Sequence, residues 1–171
     1  MFEHWDSYYI LVGSASGALI GLLFVVATLQ SGRDPEASAR GASIYLTPTV
    51  FHFAVVLVIS AMASAPGLPR WAVGAILGVC GLIGCGYGVF SAVGIRNFKS
   101  AEAPHWTDFW YYGVAPAVAY FGMMISAVAA WAQAPADALI IAGVLLALLL
   151  IGIRNAWDLV TWLAPRATPH A

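Results

Sequence analysis

His52 is the residue of this chain best placed for proton or ligand chemistry, because it lies within the apolar stretch PTVFHFAVVLVISAMASAP (48–66). An ionisable side chain inside a membrane is expensive to place and is a functional position by default. Two readings follow. One is a neutral imidazole, hydrogen-bonded to a nearby hydroxyl or carbonyl; the other is a group that relays a proton, touches a ligand or ligates a metal. Haem or a metal would call for further His or Cys at similar depth, and none is evident, so neither a metal nor a cofactor is expected. Tyr111, Tyr112 and Tyr120 flank Pro116 in a second apolar stretch. Tyr112 and Tyr120 join His52 as candidate intramembrane polar positions. Pro116 removes a helix hydrogen bond, read as the one to the carbonyl of Tyr112, and so marks a kink.

A second constellation closes two apolar runs. The tetrapeptide GIRN occurs at 94–97 and at 152–155, and Asp158 follows the second copy. Arg154 and Asp158 are spaced i, i+4. An acid near a helix C-terminus opposes the helix dipole, so Asp158 requires a cation, either Arg154 or Arg96. The expectation is a polar cluster of Arg96, Asn97, Arg154, Asn155 and Asp158 that clamps the third and fifth helices, in preference to a site for an anionic headgroup or small ligand.

No catalytic motif accompanies these residues. HExxH, GxSxG, a glycine-rich phosphate loop followed by Lys, and paired intramembrane acids are all missing from the sequence, so an enzyme is not expected. Cys80 and Cys85 read as reduced packing residues, because five residues apart on a helix they face different directions. The stretch EHWDS near the N-terminus offers Glu3, His4 and Asp6, a weak set for a metal. GCGYG (84–88) resembles a potassium filter, but it sits inside one continuous apolar run with no room for a re-entrant loop.

The elements that carry these residues are set by composition. The chain of 171 residues is 61% hydrophobic and 9% charged, against about 25% charged for a soluble domain. Lipid is therefore the expected solvent, and the net charge of −1 gives nucleic acid no basic surface. Segments free of Asp, Glu, Lys and Arg run 7–32, 41–69, 71–95, 109–136 and 138–153. A helix needs about 20 residues to cross the hydrocarbon core. The fold expected is an all-α polytopic membrane protein, one bundle over 1–171, with five transmembrane helices near 7–30, 46–66, 71–95, 108–133 and 137–163. Tryptophans fall at the span ends, as an aromatic belt does: Trp5, Trp71 and Trp131 on one side, Trp106, Trp110, Trp157 and Trp162 on the other. Six of the seven basic residues (Arg33, Arg40, Arg96, Lys99, Arg154, Arg166) share a side and Arg70 stands alone. The positive-inside rule then sets the N-terminus outside and the C-terminus in the cytoplasm, most simply of a bacterial inner membrane.

The second and fourth spans align, Pro48 with Pro116, His52 with Tyr120 and Phe53 with Phe121, and the third and fifth both end in GIRN. This reads as a parallel repeat of helices 2–3 and 4–5. Gly13, Gly17 and Gly21 form a tandem GxxxG stripe, and the third span is richer still, with Gly74, Gly78, Gly81, Gly84, Gly86 and Gly88. Such faces let helices approach closely, within one protomer or between identical ones. The reading carried forward is a small homo-oligomeric channel or facilitator for a small solute or ion. Its alternative is a non-catalytic accessory or scaffold subunit packing against a larger membrane complex. The lipid bilayer, copies of the chain or that larger complex are the expected partners.

Overall fold

A computed structural model describes residues 2, 4–29, 46–96, 106–134 and 137–163, and among these all the regular structure is helix, with no strand. The helices are α1 (Asp6–Leu29), α2 (Thr47–Ser64), α3 (Arg70–Arg96), α4 (Trp106–Trp131) and α5 (Asp137–Leu163). All five are long and apolar enough to cross a membrane, which fits an integral membrane protein. Their bounds fall within two residues of the spans read from the charge distribution.

The ends obey local rules with one exception. Pro48 stands in the first turn of α2, where its missing N–H costs nothing. Thr47 opens that helix; the capping position before it is Leu46, in a helical conformation and without a side-chain cap. Gly67 turns the chain into α3 at φ 76°, a left-handed value that suits glycine.

Helices α2, α3, α4 and α5 form a ring in which each packs on its neighbours, and α1 lies against α2 and α5. Lipid tails are as apolar as leucine, so helix association in a bilayer depends on close packing and interhelical hydrogen bonds more than on removal from water. Glycine supplies the packing here. A Cβ on Gly74 would run into the Trp131 indole, one on Gly84 into the Tyr120 ring, and one on Gly88 would lie 3.0 Å from Ala117 Cβ. The glycine face of α3 is thus filled by α4 of the same chain. On α1, a Cβ at Gly13 would meet Ser60 Cβ at 2.9 Å and one at Gly17 would meet Leu57 at 4.0 Å, while Gly21 faces open space. Gly78 has only an ordinary contact, with Ala127. Large side chains fill the interior: Phe53, Leu77, Tyr120, Leu145 and Leu148 are fully buried. GCGYG is plain helix, with Gly84 and Gly88 turned to α4 and Gly86 outward.

Candidate functional site

Two buried polar constellations occupy the half of the bundle nearer the GIRN segments. The first joins the opposed helices α2 and α4. His52 Nδ1 lies 2.8 Å from the Tyr120 hydroxyl, and both residues are at most 1% exposed. Gly84 makes this geometry available: because α3 has no side chain there, the Tyr120 ring takes the space that a Cβ would occupy, and its hydroxyl reaches His52 on α2. Cys85 flanks it, its thiol 3.6 Å from the Ala117 carbonyl and 4.0 Å from Met124 Sδ, and both cysteines are free. Phe51 stacks on Tyr87 of α3 at 4.8 Å and sits 5.9 Å from the Tyr120 ring, walling the pair on the α3 side. Phe53, the next residue of α2, turns to α5, where Gly152 of the second GIRN makes room for its ring.

One imidazole nitrogen is thereby used and the other is not. His52 Nε2 has no hydrogen-bond partner among the described residues, and neither do the buried hydroxyls of Ser60 and Ser91. In whichever tautomer His52 adopts, Nε2 is a buried donor or a buried acceptor left unmatched. Such groups are rare in native proteins and each requires an explanation.

The second constellation is complete. Pro116 does not kink α4 at an α-helical step. It follows a π-turn over Phe109–Val114, in which the Ala115 N–H bonds the Trp110 carbonyl, five residues back. In that register the N–H that Pro116 lacks would have met Tyr111, not Tyr112. The Tyr111 carbonyl is taken instead by the Asn155 side chain, Nδ2 donating at 3.1 Å. The Tyr112 hydroxyl donates to the Asn155 main-chain carbonyl at 2.9 Å, returning the contact. Asn155 is fully buried and Tyr112 nearly so. Beside them the Arg154 guanidinium covers the Tyr111 ring at 3.7 Å and bonds Asp158 at 2.7 Å.

The expected clamp of the third and fifth helices is therefore a clamp of α4 and α5, because the freed carbonyl lies on α4. Of the proposed cluster, Arg154, Asn155 and Asp158 come together. Asp158 takes Arg154 and not Arg96 as its cation, Arg96 is exposed at the end of α3, and Asn97 lies outside the described residues. Tyr112 belongs to this clamp and Tyr120 to the histidine. Among the described residues no group of His, Cys, Asp and Glu could hold a metal ion; Glu3 of the N-terminal set lies outside them. Sequence reasoning left Phe51 and Ser91 unused, since they carry no motif of their own, and met Tyr87 only as part of GCGYG.

Comparison with protein-family models, with curated proteins and with solved structures returns no match to this chain. What the fold defines is a class, a helical chain with five helices able to span a membrane.

Proposed function

We propose that this chain is an integral protein of a bacterial inner membrane, with its N-terminus outside and its C-terminus in the cytoplasm, and that it serves as a non-catalytic subunit packed against other membrane-embedded chains. The observation that carries this reading is the packed interior: Phe53, Leu77, Tyr120, Leu145 and Leu148 are all fully buried. The outward face of α3 offers a pore between copies little, since it presents Val79, Leu82, Ile83, Val89, Phe90 and Val93. The six-to-one bias of basic residues supports the orientation. The test is the particle itself. Gently solubilised native membranes should give the chain in a complex larger than its purified form, and the purified chain in liposomes should pass neither ions nor small solutes. A homomeric ring with measurable flux would overturn the proposal, and a C-terminal reporter that reads as external would overturn the orientation.

A homo-oligomeric channel or facilitator is the second reading. It draws support from His52 Nε2, Ser60 Oγ and Ser91 Oγ, which are buried polar groups left unmatched among the described residues. The repeat of helices 2–3 and 4–5 has a support of its own. His52 and Tyr120, aligned in sequence, touch each other, as equivalent positions do beside a pseudo-two-fold axis. The pairings α3–α4 and α5–α2 would be equivalent under the same axis. The glycines of the two GIRN copies differ, since Gly152 receives Phe53 and Gly94 faces open space.

A further inference from the structure

At the opposite end of the bundle from the GIRN segments lies an open concavity of about 620 Å³ lined by Arg70, Trp71, Trp131 and Gln133. Its walls are built. Trp131 is held by its indole N–H, which donates to the Trp71 carbonyl at 3.2 Å, and by Gly74, where any side chain would collide with the ring. The indole stays 60% exposed and Trp71 69%, so both flank the concavity while presenting apolar surface at the end of a span. Arg70 opens α3, and among the described Lys and Arg it alone lies at this end. Its guanidinium carries five N–H donors in a fixed fork.

Gln133 is the telling residue. Helix α4 ends with the Gln133 N–H bonded to the Ala130 carbonyl and the Ala134 N–H to the Ala129 carbonyl, the double bond of a Schellman motif. That motif places its residue after the cap in the left-handed region, where glycine is the usual occupant. Here it is Gln133, at φ 54°. A side chain is kept where having none would be easier for the backbone, and it lines the concavity.

The geometry points to a binding site for the phosphodiester of a membrane phospholipid at this end of the bundle, with Arg70 on the phosphate, Gln133 donating its amide and the two indoles at glycerol depth. An arginine matches phosphate oxygens as a fork, and indoles favour the headgroup boundary, so the set suits a lipid better than a dissolved solute. An ordinary aromatic belt with a topology-setting arginine would need neither the concavity nor a glutamine in a left-handed turn.

The full chain, released from nanodiscs of equal parts phosphatidylethanolamine and phosphatidylglycerol, is examined by native mass spectrometry for retained lipid. The wild type should retain phospholipid. Arg70→Gln should lower the retained fraction about tenfold, the loss expected for one charge-assisted contact. Gln133→Gly should lower retention severalfold with an unchanged or higher Tm, because it relieves the turn. Retention equal to wild type in both variants would overturn the site. So would delipidated wild type binding inorganic phosphate as tightly as lipid, which would make the site one for free anions.

Discussion

The two buried polar constellations differ in one respect that decides how each should be read. Around Asn155 each strong donor and acceptor that the geometry displays is matched: the side-chain amide takes the carbonyl that Pro116 frees, and the Tyr112 hydroxyl answers it. At His52 one nitrogen is matched and the other is left over. A finished network has used its hydrogen-bonding capacity on holding helices together. An unfinished one retains capacity that packing alone does not call for. The Asn155 clamp is accordingly architectural, and the His52–Tyr120 pair is where a function inside the bundle has room to be found.

The largest expected effect breaks the seat on which the His52–Tyr120 pair depends. Gly84→Leu places a side chain in the volume of the Tyr120 ring, and overpacking at a closed interface should cost about 3 kcal/mol. Unfolding of the detergent-solubilised chain in increasing SDS should show it, together with loss of the compact particle. If Gly84→Leu were tolerated without a shift of the midpoint, the Tyr120 ring would not lie against α3 and the position of its hydroxyl would have to be reassigned.

Asn155→Leu comes next. It leaves the Tyr111 carbonyl without its donor, and an orphaned buried acceptor costs about 1–3 kcal/mol. Interhelical hydrogen bonds in membranes average nearer 0.6 kcal/mol, because the unfolded helix finds other partners in lipid. The clamp should be stronger than that average, since Pro116 denies the carbonyl any intrahelical alternative, and about 2 kcal/mol is expected. Restoring a donor tests the mechanism directly: Pro116→Ala in the Asn155→Leu background should recover part of the loss. A Pro116→Ala change that made the double variant worse would contradict the account of the π-turn.

These two predictions also mark what the sequence could and could not disclose. Span number and span ends were legible because charge and tryptophan placement report directly on membrane depth, residue by residue. Gly84 was legible as a packing position but not as the seat of Tyr120, because a glycine stripe says that something approaches and not what. The partner of Asn155 was hidden for a sharper reason. An α-helical reading of Pro116 frees the carbonyl of Tyr112, whereas the π-turn shifts the freed group by one residue to Tyr111. His52 and Tyr120 were visible as positions that align between the second and fourth spans, yet their contact depends on two helices meeting across a ring, which no local spacing encodes.

The His52–Tyr120 pair should behave in the opposite way from the clamp. Removing both partners with rings of similar shape, His52→Phe with Tyr120→Phe, leaves nothing unmatched and removes the unpaired Nε2 as well. Its stability should stay within about 1 kcal/mol of wild type, on the stable side as readily as the other, whereas Tyr120→Phe alone leaves Nδ1 unmatched and should cost about 1 kcal/mol. A double variant much less stable than either single one would make this pair as architectural as Asn155, and the contrast between the two constellations would fail.

The smallest effect separates the buried part of the clamp from its exposed rim. Arg154 and Asp158 meet at 2.7 Å, but their side chains remain 31% and 38% exposed. An exposed pair of this kind contributes about 0–1 kcal/mol, and more weakly still when the acid follows the base along a helix. Arg154 also keeps the Tyr111 ring beneath it whether or not the carboxylate is present. Asp158→Asn should therefore move the unfolding midpoint by less than about 0.5 kcal/mol, with any loss shrinking as salt is raised, because screening acts on exposed charges first. A loss comparable to that of Asn155→Leu, and indifferent to salt, would mean that the carboxylate sits in a drier environment than its exposure implies. The clamp would then extend outward through Arg154 to Asp158 as one charged unit, and its strength could no longer be assigned to the amide of Asn155 and the carbonyl that Pro116 sets free.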